Sequence, residues 1–166
     1  MRRNTRNKII TQKQLGEEIQ RARQQGKTVV STSGCFDILH AGHVTYLEEA
    51  KARGDILVVL LNADSSVRAL KGSTRPIVPE MERAVVIAGL ESVDYVCIFS
   101  EQTPCALIDS LQPDVVIKGG DYAGKQIPEM DSVAAYGGRV EYVDVVDGCS
   151  TTNIVEKIRR TMEELS

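Results

Sequence analysis

Residues 56–61 are six aliphatic side chains in succession, Ile56-Leu57-Val58-Val59-Leu60-Leu61, opened by Asp55 and closed by Asn62. A strand of this kind has no polar side to offer water, so it must be covered on both faces, as in a parallel sheet between two helical layers. Shorter apolar runs repeat the theme at 28–33, 95–99, 115–118 and 140–146. Helical segments fall between them. Thr11 reads as an N-cap with Leu15 and Ile19 on one face and Gly26 as terminator. Pro79 opens a helix through Glu82, Arg83, Val86 and Ile87 to Gly89. Thr103-Pro104 starts another that ends near Leu111, and the next ends at Gly137-Gly138. An amphipathic C-terminal helix carries Ile154, Ile158, Met162 and Leu165.

Five apolar strands separated by helices, without repeats or low-complexity linkers, predict one doubly wound, Rossmann-like α/β domain with a five-stranded parallel sheet flanked by helices. Residues 28–166 are expected to make that domain, and residues 1–27 a basic tail and a helix ahead of it. A chain of 166 residues is long enough to bury a core of this kind. Its net charge of −3 argues against a nucleic-acid binder that relies on a basic surface. Arg2, Arg3, Arg6 and Lys8 form a local basic patch, expected to be solvated and poorly ordered. They lack the apolar segment of a secretion signal, and no apolar run is long enough to span a bilayer, so a cytoplasmic protein without membrane partners is expected. Cys35, Cys97, Cys105 and Cys149 show no metal-finger spacing. Cys97 lies in an apolar run and reads as a core residue, while Cys35 and Cys149 fall in loops suspected of meeting a ligand.

The most informative loop joins the first strand to the helix that follows. It holds Gly34, Asp37, Gly42 and both histidines of the chain, His40 and His43, and the helix carries Val44, Leu47 and Ala50 to Gly54. A strand, a tight loop and a helix N-terminus make an anion site, because free N–H groups and the helix dipole face the loop. Two imidazoles three residues apart at its mouth can donate hydrogen bonds to phosphate oxygens. Other readings of the same residues exist: the histidines could simply cap and pack, or could join Asp37 in a two-His, one-carboxylate metal site. The run Lys71-Gly72-Ser73-Thr74-Arg75-Pro76 is a cationic connection that could close over a substrate or be a solvated loop. Residues 147–153, Asp147-Gly148-Cys149-Ser150-Thr151-Thr152-Asn153, bring hydroxyls and a glycine to the last helix start, as a cap or as a second anion site. Residues 119–125 formally spell GxxxxGK after a strand. Gln126 stands where a P-loop needs Ser or Thr, and Pro128 moves the helix start beyond the lysine, so the P-loop reading is rejected. A nucleotide-contacting loop at that strand end remains plausible.

Ser33-Gly34-Cys35-Phe36-Asp37 followed by His40-Ala41-Gly42-His43 resembles the HxGH nucleotidyltransferase superfamily, in its cytidylyltransferase-like branch. Members join a nucleoside triphosphate to a phosphorylated small molecule and release pyrophosphate. The stretches 118–122, 71–76 and 147–154 narrow the likeness to the D-glycero-β-D-manno-heptose 1-phosphate adenylyltransferase family, over most of residues 28–158. Many bacteria fuse such a domain behind a sugar kinase; this chain has no room for one, which implies a free-standing form with a separate kinase, serving lipopolysaccharide inner-core synthesis.

The resemblance implies ATP and Mg²⁺ as co-substrate and cofactor, heptose 1-phosphate as acceptor, and a homodimer. It also implies roles. His40 and His43 would hold the triphosphate and stabilise the transition state. Gly34, Cys35, Phe36 and Gly42 would bring backbone to the nucleotide, and Asp37 would order the loop or approach the metal. Ser150, Thr151 and Thr152 would bind phosphates, with Gly119 and Asp121 near the ribose or base. Lys71 and Arg75 would supply charge from a closing loop, Lys71 counting among the catalytic groups, and Arg83 would reach the sugar phosphate. The alternatives are a glycerol-3-phosphate cytidylyltransferase or FAD-synthesising adenylyltransferase of the same superfamily, or a non-catalytic nucleotide sensor.

Overall fold

The computed structural model describes residues 4–144, 146 and 148–165. Arg2, Arg3 and Asp147 of the sequence reading, and Val145 of the expected last strand, lie outside the described residues. The apolar runs form β1 (Val29–Gly34), β2 (Ile56–Asn62), β3 (Tyr95–Phe99), β4 (Val115–Gly119) and β5 (Arg139–Val143). They make a five-stranded sheet in the order β3-β2-β1-β4-β5, every neighbouring pair parallel. The expected α/β architecture is the one observed. The order reverses direction between β1 and β4, and in open parallel sheets the crevice at such a reversal, beyond the strands' carboxyl ends, is where ligands bind.

Helices cover both faces, as the unbroken aliphatic run of β2 requires. On one side Leu47 and Ala50 of α2 (Ala41–Lys51) and Ala84, Ile87 and Ala88 of α4 (Glu80–Ala88) pack on Val30, Val59, Leu61 and Ile117. On the other, Leu15, Ile19 and Ala22 of α1 (Gln12–Gln24) join Leu107, Ile108 and Leu111 of α5 (Cys105–Leu111) and Val133 of α6 (Glu129–Ala135) over Val29, Val58, Leu60 and Val116. Cys97 is buried in this second layer, and burial pushes its thiol up to about 11. Thr11 caps α1 as expected, within a capping box: its hydroxyl accepts from the Gln14 N–H, and the Gln14 side chain accepts from the Thr11 N–H at 2.9 Å.

Two expectations need correction. The chain just after its start is not a solvated tail. Ile10 donates its N–H to the Val96 carbonyl at 3.0 Å, and Lys8 donates its ammonium to the carbonyls of Leu90 and Val93. An ammonium held on two carbonyls anchors the segment that charge alone would have left in water. The last strand stops at Val143 and does not reach Val146. Between β2 and the 71–76 connection stands α3 (Asp64–Lys71), a helix that the sequence reading does not name. Its N-cap, Ala63, offers no side-chain acceptor. The cap comes from elsewhere in the chain, because Glu80 accepts the Asp64 N–H at 2.6 Å. The remaining helix, α7 (Thr151–Glu164), has no buried residue, and Ile158 and Met162 on its apolar side are exposed.

Leu15 has no exposed surface and seats α1 against the sheet. Replacing it with alanine is expected to cost about 2–5 kcal/mol of stability, as for other buried leucines. Urea denaturation followed by circular dichroism measures that loss; a cost within experimental error would show that α1 is dispensable to the core.

Candidate active site

At the carboxyl ends of β1 and β4 the chain encloses a cavity of about 340 Å³. Residues from the first helix start (His40, Gly42, His43, Tyr46), from the last (Cys149, Ser150, Thr151, Thr152), and from the 71–75 connection (Lys71, Arg75) all line it. The two suspected anion sites, more than a hundred residues apart in sequence, therefore share one space. They come close at Gly42, where a Cβ would stand 2.8 Å from the Cys149 Cβ and 3.1 Å from His40 Nδ1. Only a residue without a side chain lets the α2 start and the turn before α7 come so near.

The imidazoles of His40 and His43 stack, with ring centres 3.8 Å apart and planes inclined by 21°. The Phe36 ring meets His43 at a tilt, with centres 5.2 Å apart. Phe36 sits at φ +43°, in the left-handed region that side chains other than glycine seldom adopt. That backbone turn carries its ring under Gly34, where a Cβ would meet the ring at 2.9 Å. The simple capping reading of the histidines is not what the helix start displays. His40 occupies the N-cap position of α2 but makes no side-chain hydrogen bond there. The Nδ1 atoms of both rings are buried without a protein partner. The first N–H groups of α2 thus keep hydrogen-bonding capacity at the cavity that both imidazoles line. At the other helix Ser150 does cap α7, accepting the Asn153 N–H at 3.0 Å.

Burial, then the neighbouring His40, then Lys71, push His43 down to about 4; burial also lowers His40. Both rings are therefore neutral at pH 7 before an anion arrives, which lets them stack without charge repulsion. Burial raises the Cys35 thiol despite the cations of Lys71 and Arg83 nearby, so this cysteine is held as an unreactive thiol.

Asp37 lies at the cavity, yet both its oxygens are engaged. Arg75 donates to Oδ2 at 2.7 Å, and the N–H groups of Ile77 and Val78 reach the carboxylate at 3.0 and 2.9 Å. Arg83 completes this clamp from beneath. Its side chain has no exposed surface and donates to the carbonyls of Cys35 and Val78 and to the Asp64 carboxylate. Asp37 and Arg83 together tie the 35–37 turn to the 75–78 segment. Arg83 does not line the cavity, because all three of its contacts hold it under the floor. Among the described residues Asp37 is the one carboxylate that lines the cavity, and with its oxygens spent it does not fit a metal-ligand position. Among the described residues no three His, Cys, Asp or Glu side chains gather closely enough to hold a metal ion.

Gly119 lines the cavity, while Asp121, in the 3-10 turn Gly120–Tyr122, is exposed and does not. The next helix, α6, begins only at Glu129 with Pro128 at its N-cap, beyond Lys125, in line with the rejected P-loop. The residue-by-residue reading missed Ser33, Tyr46, Tyr122 and Val146 as wall residues. Tyr46 could have been found, since it follows His43 by three residues and shares its helix face. Its hydroxyl bonds Thr32 Oγ1 at 2.7 Å and Ile117 O at 3.2 Å, bridging β1 and β4 at the reversal point.

The lowered His43 has a consequence for stability. An unfolded histidine binds its proton near pH 6.5, and the folded one only near 4, so between these values the unfolded state holds more protons. This contribution to stability is intact above pH 6.5 and is lost as pH falls toward 4. His43→Asn should show a shallower decline in melting temperature than the wild type between pH 6.5 and 4. An identical slope in both proteins would contradict the assignment.

A cytidylyltransferase-like family model matches residues 31–157. The chain is 51% identical over 157 residues to the bifunctional protein HldE of Syntrophotalea carbinolica, which covers 95% of this chain and 32% of that protein. It is 54% identical to HldE of Geotalea uraniireducens over 145 residues, 87% of this chain and 30% of the relative. The chain thus spans about a third of the length of these curated relatives. Its fold is similar to the crystal structure of a lipopolysaccharide core biosynthesis protein from Thermoplasma volcanium, with a TM-score of 0.60 and 32% identity. That likeness covers 73% of this chain and 98% of the other. With the family match running from β1 into α7, through both helix starts at the cavity, this chain belongs to the cytidylyltransferase-like family.

Proposed function

We propose that the chain transfers AMP from ATP to D-glycero-β-D-manno-heptose 1-phosphate, giving ADP-heptose and pyrophosphate for the lipopolysaccharide inner core. The observation that carries this reading is the cavity in which two helix starts, two neutral imidazoles and two cationic side chains meet. Such a space suits a triphosphate and a second phosphate together. The similarity to HldE proteins and to a lipopolysaccharide core biosynthesis protein supports the acceptor.

A phosphate oxygen of the sugar attacks the α-phosphorus in line, one O–P bond forms, and the bond to the β-phosphate oxygen breaks as pyrophosphate leaves. No covalent intermediate is required, so the protein works by positioning and by stabilising developing charge. His40 and His43 donate to the triphosphate, the α7 start with Ser150, Thr151 and Thr152 receives phosphate oxygens, and Lys71 supplies positive charge from the end of α3. Cys35 and Phe36 shape the floor, Gly119 flanks the ribose or base, and Arg75 holds the Asp37 clamp closed beside the sugar phosphate. Mg²⁺ is expected to enter on the triphosphate, because that ion usually keeps most of its shell as waters and substrate phosphates. We read residues 28–166 as the transferase domain, working as a cytoplasmic homodimer. Among the described residues no helix is long and apolar enough to cross a membrane.

Pyrophosphate release measured with ATP or CTP, each against heptose 1-phosphate and glycerol 3-phosphate, tests the assignment. Turnover is expected with ATP and heptose 1-phosphate; a preference for CTP with glycerol 3-phosphate would move the chain to the cytidylyltransferase alternative. In the same assay His43→Ala should lose kcat by on the order of 10²-fold with its melting temperature near that of the wild type, as for other removed transition-state donors. Near-normal turnover by that variant would contradict the role.

A further inference from the structure

Lys118 stands behind the cavity wall. Side chains alternate along β4, so Ile117 joins the layer under α2 and α4 while Lys118 faces the side covered by α6. There its ammonium forms an ion pair with Glu129, in the first turn of α6. It also lies 3.3 Å from Ser33 Oγ and 5.7 Å from the centre of the Tyr122 ring. The pair is well withdrawn from water, with side-chain exposures of 13% for Lys118 and 4% for Glu129. Ser33 and Tyr122, which the ammonium touches, both line the cavity; Lys118 and Glu129 do not.

An ammonium has protons and no lone pair, so in its contact with Ser33 the lysine can only donate. The serine oxygen accepts, and the hydroxyl proton must turn away from Lys118. We propose that Ser33 donates this proton in a hydrogen bond to a phosphate oxygen of bound substrate, and that Lys118, fixed by Glu129, is the positioning residue that sets its direction. The inference rests on the reading of the cavity as a nucleotidyl-transfer site. Lys118 and Glu129 cancel each other's charge, so they add orientation to the cavity, while net positive charge comes from Lys71. The phosphate oxygen belongs either to the nucleotide or to the sugar phosphate.

The test titrates ATP and heptose 1-phosphate separately, by calorimetry, into wild type, Ser33→Ala, Ser33→Thr, Lys118→Met and the Ser33→Ala/Lys118→Met pair. Removing one hydrogen bond to a charged oxygen should weaken one of the two ligands about tenfold in Ser33→Ala. Ser33→Thr, which keeps a hydroxyl, should recover most of that loss. Lys118→Met should weaken the same ligand by a similar factor, and the pair no more than Ser33→Ala alone, since coupled groups do not add. The ligand that responds identifies the phosphate. Unchanged affinity of Ser33→Ala for both ligands overturns the proposal, and so does a Lys118→Met loss that adds in full to that of Ser33→Ala. Lys118→Met leaves a buried carboxylate unpaired, so Lys118→Met/Glu129→Leu replaces it should the single variant fail to fold. Normal binding by the wild type with an indifferent Ser33→Ala contradicts this inference alone. A wild type that binds neither ligand contradicts it together with the transferase reading.

Discussion

The approach of Gly42 to the Cβ of Cys149 decides the form of the site, because it fixes how far apart two helix N-termini can stand. Each helix start carries partial positive charge and unsatisfied N–H groups, which repel one another without an anion between them. The fold holds them together in advance of any ligand: α2 is seated on the sheet by Leu47 and Ala50 after β1, and the turn before α7 follows β5, two strands away across β4. Site organisation is thus charged to the folding of the core, so the proposed phosphate-bearing substrates would meet donors already in place.

The buried charges beneath the cavity belong to the same design. Arg83 spends its guanidinium on two carbonyls and Asp64, and Asp37 takes Arg75 and two backbone N–H groups. Buried ion pairs of this sort contribute little net stability, and losing one partner is costly. Their effect here is geometric: they cross-link the 35–37 turn to the 75–78 segment and fix both walls of the entrance. An acid and an arginine that the sequence offers as ligand contacts are, in space, the fastening of the loop that makes contacts. The histidines are treated in the opposite way, with Nδ1 atoms left unpartnered and His43 held neutral by burial. Protein partners are withheld where a ligand is to be met.

Much of this was legible from the residues alone, for definite reasons. The aliphatic run of β2 demanded cover on both faces and so a parallel sheet; the glycines and histidines after β1 marked a tight loop and a helix start at the strand's carboxyl end. Three kinds of feature were not legible. The cap of α3 comes from Glu80, across the chain, so no local pattern announced that helix. The fate of Arg83 depends on which side of α4 meets the 35–37 turn, and spacing along one helix does not tell that. Ser33 and Tyr122 owe their places to the register of β1 against β4 and to the turn after β4, which only the assembled sheet defines.

The central claim is that the starts of α2 and α7 hold a single triphosphate between them. Amide hydrogen exchange with a non-hydrolysable ATP analogue measures this most directly. The account predicts that amides within 40–44 and 150–154 gain protection together, over the same range of analogue concentration. Protection at one helix start, with the other exchanging as in the free protein at saturation, would contradict it.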